Sequence, residues 1–90
     1  MRERMTPERA ETIGLNGLAF LAGQPEWMDC FLRLSGLELS TLRARASDPD
    51  FLRAVLDFLL TEDVLITDFC KEQGLEARDI HAAHRMLGGP

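Results

Sequence analysis

FLAGQPEWMDCFLRLSGLE at residues 20–38 and FLLTEDVLITDFCKEQGLE at residues 58–76 start, centre and finish alike. A shift of 38 residues lays Phe20-Leu21 on Phe58-Leu59, Phe31 on Phe69, and Gly36-Leu37-Glu38 on Gly74-Leu75-Glu76. Further out, Arg33 falls on Lys71, Leu42 on Ile80 and Ala44 on Ala82. Self-similarity at a fixed period is the mark of a repeated supersecondary unit that buries its apolar face against its neighbour. The pattern predicts an all-α fold: two related three-helix units, 13–46 and 51–84, sharing one core.

Proline and glycine mark the helix boundaries. Thr6-Pro7, Gln24-Pro25 and Asp48-Pro49 each place proline at a first helical position, where its missing N–H costs nothing. Gly23, Gly36, Gly74 and Gly88 stand where a left-handed residue would end a helix. Six helices follow, over about 7–22, 25–35, 41–46, 49–60, 62–73 and 77–87. Ser40 would cap the third. Thr61 would cap the fifth, with Glu62 and Asp63 at its positive end and Leu60 and Leu65 at staple spacing. Extending the apolar rows of the fourth helix lands on Glu62 and Asp63, so the chain should break near Thr61. No segment alternates with a period of two.

The polar positions grade the helices. The second is polar only at Glu26, Asp29 and Arg33, and the fourth only at Asp50, Arg53 and Asp57. Such wide apolar arcs predict central helices contacted on two sides. Gly14 and Gly17 weaken the first helix by about 1 kcal/mol each relative to Ala, which predicts close approach of a neighbouring helix at that face.

Ninety residues make one domain over 1–90, with short flexible ends at 1–5 and 88–90. A 10.1 kDa chain should bury about 64% of its extended surface, a real but thin core. Net charge is −5 and uneven: residues 47–79 hold nine acids against Arg53, Lys71 and Arg78. An acidic half repels phosphate backbones and anionic lipid, which makes nucleic acid and membrane poor partners. No apolar run reaches the roughly 20 residues of a membrane span. Glu3, Glu8 and Glu11 spoil any signal-like start, so a cytoplasmic location is expected. Cys30 and Cys70 lack metal-type spacing and read as buried free thiols of a reducing compartment.

Few residues suggest chemistry. His81 and His84 share a face three residues apart, but a metal needs further ligands, so a solvated helix end is expected. Ser35, Ser40 and Ser47 sit at helix ends, where hydroxyls cap. Neither cysteine has a Lys or Arg in the preceding turn to favour thiolate. No phosphate loop occurs, and no catalytic residue, cofactor or metal site is expected.

Around each glycine turn, Phe31-Gly36-Leu37-Leu42 and Phe69-Gly74-Leu75-Ile80 have rough helix-turn-helix spacing. A DNA-binding or regulator-binding role would need Arg43, Arg45 and Arg78 to form one basic patch.

Three stretches, Ala19-Phe20-Leu21-Ala22, Phe31 to Leu37 and Leu42 to Leu52, resemble a small alphaproteobacterial family of unknown function. So do Val55 to Leu60, Phe69-Cys70 and Gly74-Leu75, the resemblance covering residues 10–88. It implies a compact helical bacterial protein and carries no activity or functional residue. The function expected from the residues is a non-enzymatic protein–protein interaction module, with another protein or a second copy (a homodimer) as partner. Leu39, Met86 and Leu87, near helix ends, are its candidate contacts.

Overall fold

Every proline-marked start begins a helix in the computed structural model, which describes residues 4–88. The elements are α1 (Pro7–Ala22), α2 (Pro25–Ser35), a 3-10 turn (Leu39–Thr41) running into α3 (Leu42–Arg45), α4 (Pro49–Thr61), α5 (Asp63–Gln73) and α6 (Ala77–Leu87). Thr6 Oγ1 accepts the Arg9 N–H at 3.1 Å, and Asp48 Oδ1 accepts the Asp50 N–H at 2.9 Å, satisfying donors that a helix start leaves unpaired. Among the described residues the fold is all-α, without a strand. Of the expected flexible ends, residues 1–3, 89 and 90 lie outside the described residues, while Met5 packs against the core.

Gly36 (φ 72°) and Gly74 (φ 66°) end α2 and α5 in the left-handed conformation. In both turns the next leucine N–H closes the helix: Leu37 donates to the Leu32 carbonyl at 3.2 Å, Leu75 to Cys70 at 3.0 Å. Gly23 and Gly88 instead stay right-handed, each N–H donating into the last turn. Thr61 does not cap α5. Its hydroxyl donates to the Asp57 carbonyl at 2.6 Å, which uses it inside α4 and moves the break to Glu62 (φ −110°, ψ 105°). That one-residue shift takes Leu60 and Leu65 out of staple register. Ser40 likewise caps nothing and lies within the 3-10 turn.

The core is a triangle of α1, α4 and α6. Ile13 and Leu21, then Leu52, Val55, Leu56 and Leu59, then Ile80, Ala83 and Leu87, are buried there. Gly14 and Gly17 let α1 and α4 meet: a Cβ on Gly14 would stand 2.9 Å from Leu52 Cβ. The wide apolar arc of α4 is central, as expected. That of α2 is not. Only Met28 and Phe31 of α2 are buried, and Leu34 is exposed, because the helix packs on α1 and meets α4 through Trp27 and Phe31 while its outer face stays open. Leu87 also departs from expectation. Placed among the exposed contacts, it is only 7% exposed, because α6 keeps its stripe of Ile80, Ala83 and Leu87 to its last residue.

The repeat survives in the packing. Phe31 of α2 meets Phe58 of α4 at 5.4 Å between ring centroids and 58°. Phe69 of α5 meets Phe20 of α1 at 5.4 Å and 55°. Exchanging the two copies turns one pair into the other, so each second helix, packed on the first helix of its own unit, also reaches that of the other unit through a phenylalanine contact. The third helices do not match. Glu76 and Asp79 form a reciprocal capping box that starts α6, the Glu76 N–H donating to Asp79 Oδ2 at 2.9 Å. Thr41 holds the position equivalent to Asp79, and its hydroxyl donates to the Glu38 carbonyl at 2.7 Å, within the 3-10 turn. At the other end Pro49, the start of α4, stands where the second unit has Leu87. The first unit therefore has a third helix of only four residues.

Candidate functional site

The shortened α3 leaves a groove. It is about 530 Å³, floored by Leu18 and Ala22 of α1, Met28 and Leu32 of α2, Leu42 of α3 and Ala46 just after it. Past Arg43 and Ala46 it continues into a second depression of about 350 Å³, lined by Glu11, Leu15 and Leu52 among others. Leu15, Leu18 and Ala22 recur at i, i+3 and i+7, so one stripe of α1 runs along the whole trough. In the second unit the counterpart of Leu18 is Leu56, which is fully buried where Leu18 is only half-buried, while Leu42 and its counterpart Ile80 are buried in both units. The first unit leaves its equivalent surface open. Leu39 in the 3-10 turn is 67% exposed at the rim, and Leu15 is 44% exposed.

Charge on this surface is sparse. Asp29 is engaged by Arg33 at 2.7 Å, four residues on along α2. Glu11 of α1 and Arg43 of α3 both line the smaller depression, and neither has a salt-bridge partner among the described residues.

The arginines singled out in the sequence differ in setting. Arg45 donates Nε–H to Asp48 Oδ2 at 3.2 Å and lies 5.9 Å from the centroid of the Phe51 ring. Arg78 pairs with Glu76 at 2.6 Å. Each of these two carries its own carboxylate, and only Arg43 faces the groove unpaired. Of the candidate contacts, Leu39 is on the groove rim, Met86 is on α6 away from the groove lining, and Leu87 is in the core.

His84 is not the solvated end that its position suggested. Its side chain is 19% exposed, with Nε2 3.4 Å from Asp57 Oδ1 of α4. Burial lowers its pKa below the ordinary imidazole value, nearby Arg53 lowers it further, and Asp57 opposes both. The sequence signal was the spacing: residue 84 follows Ile80 by four and adjoins Ala83 on the buried stripe. Cys30 and Cys70 are free and half-buried rather than buried. Burial, with Asp79 adding to it, raises the Cys70 thiol pKa. Asn16, the one polar side chain of α1 over residues 13–22, donates to Gln73 Oε1 of α5 at 3.0 Å, a long-range link that periodicity did not reveal. Among the described residues, no group of three or more His, Cys, Asp or Glu side chains could hold a metal, and no helix is long and apolar enough to cross a membrane.

The family model described as "protein of unknown function (DUF3572)" matches residues 7–90. The chain belongs to that family. The DUF3572 match opens on Pro7, the first residue of α1, so all six helices and the whole groove lie within it. No curated protein and no solved structure matches this DUF3572 chain. Membership bears out the resemblance to a helical family of unknown function and brings no activity with it.

Proposed function

We propose that this protein is a non-enzymatic interaction module whose contact surface is the open groove between α1, α2 and α3. One observation carries the reading. The four-residue α3 leaves Leu15, Leu18, Leu32 and Leu39 gathered around one open apolar trough. Exposed apolar surface gathered in one place marks interaction sites, whereas apolar residues scattered singly do not. A reaction centre needs polar groups converging on one point. Here the main groove offers Asp29, already paired with Arg33, and Arg43. The DNA-binding alternative is weaker, because Arg45 and Arg78 are already neutralised locally and cannot both give their charge to phosphates.

The test is affinity capture from native cells by the wild-type protein and by Leu39→Glu, side by side. Leu39 is mostly exposed, so the substitution spares the core. The expected result is a stoichiometric protein, which can be the untagged chain itself, held by wild type and lost from Leu39→Glu. Identical recovery by both would overturn the reading.

A further inference from the structure

We infer that the groove is filled by a second copy of this chain, docked about a two-fold axis that sets Glu11 of each copy against Arg43 of the other. The inference rests on the interaction-module reading and names its partner.

Charge selects the occupant. Two copies of a −5 chain repel one another over most of their surface, and most strongly across the acidic 47–79 region. The groove is the exception. Its lining holds Asp29, neutralised by Arg33 from outside the lining, one free carboxylate at Glu11 and one free guanidinium at Arg43, which together sum to zero. A strongly basic partner would find more attraction on the acidic region than on this neutral trough. A copy of the same face finds complementarity instead. In a two-fold contact, residue i meets residue j and j meets i, so one unpaired anion and one unpaired cation on the face form two cross-pairs. Leu15, one helical turn after Glu11, and Leu39 on the rim supply the apolar knobs, and the partner's trough receives them.

The pairing gives a reciprocal test. Glu11→Arg and Arg43→Glu are made singly and together, and masses are taken by sedimentation equilibrium, with circular dichroism confirming the helical fold of each. Wild type is expected at twice the 10.1 kDa chain mass. Each single variant faces a copy of itself with two like-charge pairs, so its dimer should weaken at least tenfold. An equimolar mixture of the two singles restores both opposite pairs and should recover the two-chain mass, as should the double variant. Leu39→Glu should be a single chain. A wild type that stays a single chain at millimolar concentration overturns the second-copy inference. So do singles that dimerise like wild type, or a mixture that gains nothing. The outcome is separable from the broader reading. A single-chain wild type whose captured partner is lost in Leu39→Glu leaves the groove as the contact surface and removes only the second copy. A single-chain wild type with capture unchanged removes both.

Discussion

Alanine at Gly14 and at Gly17 should change stability in opposite directions, although both glycines face α4 from one turn of α1. Replacing a mid-helix Gly by Ala gains about 1 kcal/mol from backbone entropy alone. What opposes that gain is the space for one methyl group. At Gly14 the new Cβ would lie 2.9 Å from Leu52 Cβ and 3.4 Å from its Cγ. A Cβ is fixed to its backbone, so relief requires α1 and α4 to move apart by roughly half an ångström, and overpacking of this kind costs about 1–3 kcal/mol. The net expectation for Gly14→Ala is a loss of about 1 kcal/mol. At Gly17 the nearest atoms are Leu59 Cδ1 at 3.1 Å, Val55 Cγ1 at 3.3 Å and Leu56 Cδ2 at 3.4 Å, all methyl ends that can shift by tenths of an ångström. Gly17→Ala should therefore be neutral or stabilising by up to about 1 kcal/mol. In a domain of this size each kcal/mol moves Tm by about 4–8 °C. Thermal unfolding followed by far-UV circular dichroism at one fixed chain concentration, since self-association would shift Tm, reads both signs. A Gly14→Ala protein as stable as Gly17→Ala would refute the claim that Leu52 sets the α1–α4 distance.

Three further outcomes follow from the packing. Phe31→Ala and Phe69→Ala should each cost about 3–5 kcal/mol in urea unfolding, whereas Leu34→Ala, on the same wide apolar arc as Phe31 but exposed, should stay within about 0.5 kcal/mol. Gly36→Ala and Gly74→Ala should each lose about 1–2 kcal/mol, because the left-handed backbone strains any Cβ even with open space around it, and Asn should lose less at both positions in the same assay. His84 has a folded pKa lowered by burial and by Arg53, so the unfolded chain takes up the proton first as pH falls. Its contribution is then fully present above the ordinary imidazole pKa of about 6.5 and declines below it, levelling off once the folded imidazole is protonated too. His84→Gln should flatten the fall in Tm between about pH 7 and pH 5 relative to wild type.

Helix limits were legible because proline and glycine act locally: Pro7, Pro25 and Pro49 each open a helix, and Gly36 and Gly74 close one through their positive φ. The repeat was legible for the same reason its consequence in space was not. The identities Phe20/Phe58 and Phe31/Phe69 can be read along the chain, but that each second-helix phenylalanine meets the first-helix phenylalanine of the other unit depends on docking. The standing of α2 was misread because apolar width does not say how many neighbours a helix has. In α4 the width is used on several sides, whereas in α2 part of it remains exposed. The groove followed from features that were each visible and never combined: a short third helix, Thr41 where Asp79 builds a capping box, and Pro49 where Leu87 closes the core. The burial of Leu87 and His84 was hidden by nearness to the helix end, where fraying is the usual expectation and the continued stripe of α6 prevails.

The measurement that tests the account most directly is the solution mass of the wild-type chain and of Leu39→Glu from micromolar to millimolar concentration. The account predicts twice the 10.1 kDa chain mass for wild type and a single chain, equally helical, for Leu39→Glu. A wild type that remains a single chain throughout, or a Leu39→Glu protein that dimerises as wild type does, would contradict it.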